Sequence, residues 1–268
     1  MRRMPTLLVG CLLLVAAAAA ARGDDWPNWR GPSGAGVAAG GGYVASWGPQ
    51  ENVRWRVPLP GLGASTPVVT GDAIVVTCAV DGQDAAICLD RTGKELWRVG
   101  GLNPKQDKFF RSIASPVVAG DLVIAPYARG NTITAIRRGG AGDVTATHVA
   151  WVRNDLGADV PTPAVQGGRV YVCTDKGRVE CLEAASGKTL WQGELPKNRN
   201  AYSASPVLVD GRLVVTREDG HATTLAAGDA FEVLAEGDVG EMTVATPVFV
   251  DGGVFLRTHD ALWCLGTK

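Results

Sequence analysis

The carboxylates that a proton-transfer or cation site would draw on are Asp84, Asp107, Asp159 and Asp219. Each stands alone, in or near a turn, where aspartate is favoured for backbone reasons, its side chain bonding the main chain two residues on. The histidines, His148, His221 and His259, are far apart and lack carboxylate–histidine spacing, and no Cys-x-x-Cys pair occurs, so zinc finds no ligand set. No Gly-x-Ser-x-Gly elbow, phosphate-binding Gly-Lys-Ser/Thr loop or paired-carboxylate motif is present. Gly100-Gly101 and Gly139-Gly140 are loop glycines with no helix pattern after them, which argues against phosphate cradling. Of six cysteines, Cys78 and Cys88 fall on two strands of one hairpin pattern and Cys173 and Cys181 on another, with Cys264 in the place of Cys88 and Cys181. Two readings stay open for them, hairpin disulfides in an exported compartment or small buried thiols on inner strands.

The elements that would position these groups follow a repeat. A Ser-Pro, Thr-Pro or equivalent step, an apolar pair, a Gly-containing turn and a second β-branched run recur five times: STPVVTGDAIVVT from Ser65, ASPVVAGDLVIAP from Ala114, PTPAVQGGRVYVC from Pro161, ASPVLVDGRLVVT from Ala204 and ATPVFVDGGVFLR from Ala245. The prolines Pro67, Pro116, Pro163, Pro206 and Pro247 are 49, 47, 43 and 41 residues apart, the length of one four-stranded propeller blade. In the third repeat, Ala164-Val165 starts a short strand, Gln166-Gly167-Gly168 turns it, and Arg169 to Cys173 forms the second. Thr174 to Gly177 closes a hairpin onto Arg178 to Leu182, and Thr189 to Gln192 supplies an outer strand carrying Trp191. Trp151 closes the second repeat after a longer excursion through Arg137 to Thr147, and Phe231 to Leu234 replaces the Trp strand in the fourth.

The tails CLDRTGKELW from Cys88 and CLEAASGKTLW from Cys181 resemble the signature of the pyrroloquinoline-quinone (PQQ) type repeat, shared by quinoprotein dehydrogenases and by propellers similar to outer-membrane assembly factor B. The resemblance covers about Asn52 to Gly266. It implies an all-β fold, a β-propeller of four-stranded antiparallel blades, about five here. The fifth repeat stops at Cys264-Leu265-Gly266, and Asn52 to Val57 matches its missing outer strand, so closure by this N-terminal strand in the last blade is expected. Relatives more often have seven or eight blades, which leaves a shortened family member, an open arc or a ring completed by a dimer as alternatives. A quinoprotein dehydrogenase also needs calcium, a catalytic carboxylate and usually an adjacent-cysteine disulfide, yet no Cys-Cys pair exists here. No cofactor, neither PQQ nor calcium, is therefore expected, and a quinone-dependent oxidoreductase is kept as the alternative to a non-catalytic scaffold.

Charge and composition narrow the partners. With 26 basic against 27 acidic residues the net charge is −1, which lacks the basic footprint of a nucleic-acid binder. Arg2 and Arg3, the apolar Leu7 to Val15 and the small-residue run Ala16 to Ala21 read as an export signal over residues 1–22, too short for a membrane span. A membrane anchor and lipidation at Cys11 are its alternatives. Residues 23–51 form an extension with the Trp-rich segment DWPNWRGP, either a plug packed on the ring or a partner dock, and residues 52–268 form the propeller. The expected location is periplasmic or envelope-associated, with an unidentified protein or envelope component as partner and no transmembrane span in the mature chain. The partner-binding face is assigned to loops carrying Phe109, Phe110, Arg111, Arg199 and Tyr202, aromatic and arginine types enriched at interface hot spots. The alternative is that Phe109 and Phe110 pack over the blade edge and Tyr202 satisfies a loop.

Overall fold

Short β-branched runs broken by glycine turns have one economical solution, hairpins stacked into small sheets. A computed structural model describes residues 25–32, 49–61, 63, 65–81, 83–104, 113–127, 132–250 and 253–266. The first blade contains β1 (Val68–Thr70), β2 (Ala73–Val80), β3 (Gln83–Asp90) and β4 (Glu95–Val99). The second contains β5 (Val117–Ala119), β6 (Leu122–Tyr127) and β7 (Thr132–Arg137). Its excursion forms β8 (Gly142–Asp143), which pairs parallel to β4, and the one-turn helix α1 (Thr145–His148), before β9 (Val149–Arg153) closes the sheet. The third blade has β10 (Ala164–Gln166), β11 (Arg169–Cys173), β12 (Arg178–Glu183) and β13 (Thr189–Glu194). The fourth has β14 (Val207–Val209), β15 (Arg212–Thr216), β16 (His221–Ala226) and β17 (Val233–Asp238). The last has β18 (Val248–Val250), β19 (Gly253–Arg257) and β20 (Leu262–Leu265).

Every blade is an antiparallel meander from inside to outside, and one irregularity repeats. The ladder between third and outer strands shifts register at Cys88/Leu89, Ala135/Ile136, Cys181/Leu182 and Thr224/Leu225, the same place in four blades. A bulge there increases the local twist of the outer strand. Between blades, opposite faces of neighbouring sheets interdigitate. Val75, Cys88 and Trp97 pack against Val123, Ala125 and Ile136. Ile124, Ile133 and Ala135 meet Val170, Val172 and Leu182, and Tyr171, Cys181 and Trp191 meet Leu213, Val215 and Leu225.

Two outer-strand tryptophans bolt blade 2 to blade 3 and blade 3 to blade 4. Trp151 Nε1 donates to Ala184 O and Trp191 Nε1 to Gly228 O, each at 2.9 Å, in the turn of the following blade. This explains the glycine of the Gly-Lys turn: Gly187 has φ +69°, and a Cβ there would lie 2.6 Å from the Trp151 ring. Glycine is needed both for the left-handed backbone and for the tryptophan laid across it.

The expected closure is corrected by the structure. The last sheet has three strands, and Asn52 to Val57 forms no strand among the described residues. Instead Trp55 Nε1 donates to Arg91 O at 2.9 Å, and Trp55 and Val57 lie over Gly93 of the first blade's turn. Trp55 thus makes toward blade 1 the contact that Trp151 makes toward blade 3, yet its backbone is not laddered to β20. Within its strands, Leu256 is the one buried apolar side chain of the last blade among the described residues, and Phe255, Leu262 and Leu265 are exposed. The hairpin disulfides are absent: Cys78, Cys88, Cys173 and Cys181 are buried free thiols and Cys264 an exposed one. Burial pushes the Cys88 thiol up to about 11, the direction that makes a thiol inert. Among the described residues no helix is long and apolar enough to cross a membrane, and the leader lies outside them.

Candidate functional site: the axial cavity

The Ser/Thr-Pro step owes its recurrence to the axis. Proline holds the residue before it in an extended conformation and has no N–H of its own. The hydroxyl residue can then reach the neighbouring blade. Thr66 N donates to Ser115 Oγ (3.0 Å), Ser115 N to Thr162 Oγ1 (3.0 Å), Thr162 N to Ser205 Oγ (3.0 Å) and Ser205 N to Thr246 Oγ1 (3.1 Å). Four links thus join the innermost strands of consecutive blades. Among the described residues no such bond joins Thr246 N to Thr66 Oγ1, so the ladder ends at the first and last blades.

The Trp-rich N-terminal segment sits on these inner strands, as the plug reading expects. Trp26 exchanges two backbone bonds of 2.8 Å with Val69, and Pro27 O accepts from Val118 N at 2.8 Å. Asp25 Oδ1 accepts from Gly71 N at 2.8 Å and anchors the end of the segment. Trp29 and Arg30 are carried toward the axis, where they line a cavity of about 440 Å³ with the ladder residues. A second cavity, about 690 Å³, lies along the inner strands of blades three to five and shares Trp29 and Arg30. The Arg30 guanidinium lies 5.3 Å from the centre of the Trp29 ring.

The chemistry of this lining is one-sided. Among the described residues lining the two cavities, Arg30 is the one ionisable side chain and none is a carboxylate. Calcium takes six to eight oxygen ligands with carboxylates prominent among them. The described axial residues therefore do not fit a calcium-held quinone. The sequence-level carboxylates are placed elsewhere. Asp84 is buried on β3, and Asp107 lies outside the described residues. Asp159 O accepts from Ala114 N in an interblade loop. Asp219 pairs with Arg217 at 2.8 Å, and the hydrogen bond from Arg217 holds its carboxyl below the usual range. Nor do the histidines meet: His148 Nδ1 is 2.8 Å from Thr147 Oγ1, His221 is beside Glu236 and Asp238, and His259 N donates to Met242 O. Among the described residues no cluster of three His, Cys, Asp or Glu side chains could hold a metal.

The expected partner face is divided. Phe109, Phe110 and Arg111 lie outside the described residues, and Arg199 is exposed. Tyr202 is corrected to a core residue: it is 2 % exposed, packs with Tyr171, Cys173 and Leu195, and covers Gly177, where a Cβ would lie 2.9 Å from its ring. Its backbone N–H donates to Asp175 O at 3.0 Å, tying this loop to the turn between β11 and β12.

One network went unread in the sequence. The fully buried carboxylate of Glu180 on β12 receives Arg153 from blade 2 at 3.2 Å, Arg178 at 3.0 Å and the Thr189 hydroxyl at 2.6 Å. Arg153 also donates to Gly187 O (3.2 Å) and Asp155 (2.7 Å), tying two blades together. The signal for it was a glutamate at a core-facing strand position, which needs a cation to be tolerated.

Comparison with known proteins agrees with this architecture. Residues 26–147 and 140–261 each match the family described as outer membrane protein assembly factor BamB. The chain is 29 % identical over 214 residues to outer membrane protein assembly factor BamB of Escherichia coli K12, covering 76 % of this chain and 51 % of that protein. With its counterpart from Burkholderia pseudomallei the identity is 25 % over 188 residues, covering 66 % and 46 %. The chain thus spans about half the length of the curated relatives it matches. Among solved structures, BamB from Moraxella catarrhalis superposes with a TM-score of 0.56 at 17 % identity, covering 77 % of this chain and 60 % of that one. A quinohemoprotein alcohol dehydrogenase from Pseudomonas putida gives 0.59 at 12 % identity, covering 79 % and 41 %. These two likenesses establish the fold alone. The chain is an all-β protein of PQQ-type propeller blades, and it belongs to the outer membrane protein assembly factor BamB family.

Proposed function

We propose that this chain is an exported, non-catalytic propeller that serves as a protein-binding scaffold in the cell envelope, in the assembly of outer-membrane proteins. The observation that carries the reading is the family match, which extends over both halves of the chain. The axial chemistry supports it: a calcium-held quinone calls for carboxylate oxygens, and the described residues of the lining include none. Function then falls to the loops that rigid blades hold out to solvent. The exposed Lys197 and Arg199 lie on one of these, between blades 3 and 4.

The test is capture from the native envelope. Full-length protein, crosslinked in cells and purified, is expected to bring down a component of the outer-membrane protein assembly machinery. The K197E/R199E double variant is expected to reduce that capture with an unchanged melting temperature. Absence of any assembly component from the wild-type capture would overturn the scaffold reading, and undiminished capture by the variant would move the contact to another face.

A further inference from the structure

The plug shows how the inner strands take up a second segment of chain. Each inner strand joins its neighbour through a two-residue turn, so its middle residue forms a non-hydrogen-bonded pair and points its N–H and C=O away from the blade, toward the axis. At Val69 both groups are used, in the two bonds exchanged with Trp26, and at Val118 the N–H is used by Pro27 O. Consecutive plug residues thus serve consecutive blades. Val165, Leu208 and Phe249 hold the same place on β10, β14 and β18, opposite Val170, Leu213 and Val254. Their N–H groups face the axis by the same alternation, and among the described residues none of the three has an acceptor.

Burial follows the same division. Val68, Thr70, Val117 and Ala119, beside the plug's contacts, are buried, whereas Ala164, Val207, Val209 and Val248 are half-buried. Val165, Leu208 and Phe249 all line the cavity of about 690 Å³, which Trp29 of the plug also lines. We propose that this groove is a docking site for an extended, apolar segment of another polypeptide. Its carbonyls accept from the N–H groups of Val165, Leu208 and Phe249 as Pro27 O accepts from Val118, a strand-addition mode in which main-chain bonds supply affinity. Pro163, Pro206, Val207 and Pro247 help to make the described wall chiefly apolar, which selects apolar side chains. Continuity assigns the occupant: the groove extends, blade by blade, the surface on which an extended segment already lies. The site is on the inner strands, apart from the Lys197 and Arg199 loop, and stands whether or not that loop binds an assembly component.

The experiment follows amide hydrogen exchange by NMR in the full chain, first alone and then with the synthetic peptide DWPNWRGP, the sequence of residues 25–32. Alone, the N–H groups of Val165, Leu208 and Phe249 are expected to exchange about tenfold or more faster than those of Val69 and Val118. Excess peptide is expected to slow the first three saturably, by about tenfold or more, and to leave Val69 and Val118 unchanged. The same peptide methylated at its tryptophan backbone nitrogens loses main-chain donors and should bind about threefold or more weakly. Leu208→Pro deletes one donor without costing β14 a ladder bond, and should weaken binding to a similar degree at an unchanged melting temperature. The exchange measurement itself needs no variant. Equal protection of all five N–H groups without peptide would mean that the chain itself fills the groove, and protection that rises with protein concentration alone would assign it to a second copy. Either result, no protection by the peptide, or undiminished binding by folded Leu208→Pro would overturn the proposal.

Discussion

Gly187→Ala tests the claim that the recurring Gly-Lys turn is shaped by the blade before it. Two costs add at this position. The residue has φ +69°, and an alanine in that region costs roughly 1–2 kcal/mol. The new Cβ would also lie 2.6 Å from two Trp151 ring atoms and 3.0 Å from a third, an overpacking worth roughly 1–3 kcal/mol. The expected loss is about 2–5 kcal/mol, a large share of the roughly 5–15 kcal/mol that holds such a domain folded. In a domain of this size that lowers Tm by roughly 4–20 °C, readable by circular dichroism at 218 nm (~) in a thermal melt. Gly167 is the control: φ is +57° with no neighbour within 4 Å, so Gly167→Ala should carry the backbone cost alone. Trp151→Ala removes the collision, and in that background Gly187→Ala should cost no more than the Gly167 control. If Gly187→Ala and Gly167→Ala destabilise equally, or if removing Trp151 brings no relief, the interblade explanation fails.

Ser205→Ala removes the acceptor of Thr162 N and should cost about 1–3 kcal/mol in urea unfolding, whereas Ser205→Thr, which keeps the hydroxyl, should cost less. Glu180→Ala leaves Arg153 and Arg178 without their shared carboxylate, and a loss of about 3 kcal/mol in the same assay is expected, with no change rejecting the clasp between blades 2 and 3. The hydrogen bond from Arg153 holds the Asp155 carboxyl down to about 2. Because that lies below the unfolded value of about 3.9, its contribution is present above about pH 4 and is lost as pH falls through about 2; Asp155→Asn should narrow its stability gap to wild type across that window. Among the cysteines from Cys78 onward, Cys264 alone should react rapidly with a thiol reagent in the native protein, and fast labelling of a second would contradict the burial of the others.

Strand positions were legible because their signals are local. Arg169 to Cys173 is β11 to the residue, and Arg178 to Leu182 and Thr189 to Gln192 run only slightly longer as β12 and β13. The Ser/Thr-Pro repeat was visible, but its purpose was not, because each hydroxyl's partner lies 41 to 49 residues away and depends on how adjacent sheets are angled. Asn52 to Val57 was recognised as an outer-strand sequence, and Trp55 does make an outer-strand contact. Sequence pattern could not say whether its backbone also pairs with β20, since the pattern encodes a side-chain face and not a ladder partner. Tyr202 was assigned to a recognition surface because aromatic residues in loops serve equally as hot spots and as lids over glycine turns. Only the nearness of Gly177 separates those roles.

The hydroxyl ladder is written entirely in nearest-neighbour terms, each rung needing one residue from a module and one from the module beside it. Gaining or losing a whole module by duplication or deletion of its coding unit leaves the remaining rungs spelled as before. Proteins stitched in this way can vary in module number over evolutionary time without redesigning any junction, whereas a change of a few residues inside one module would put its rung out of step with both neighbours.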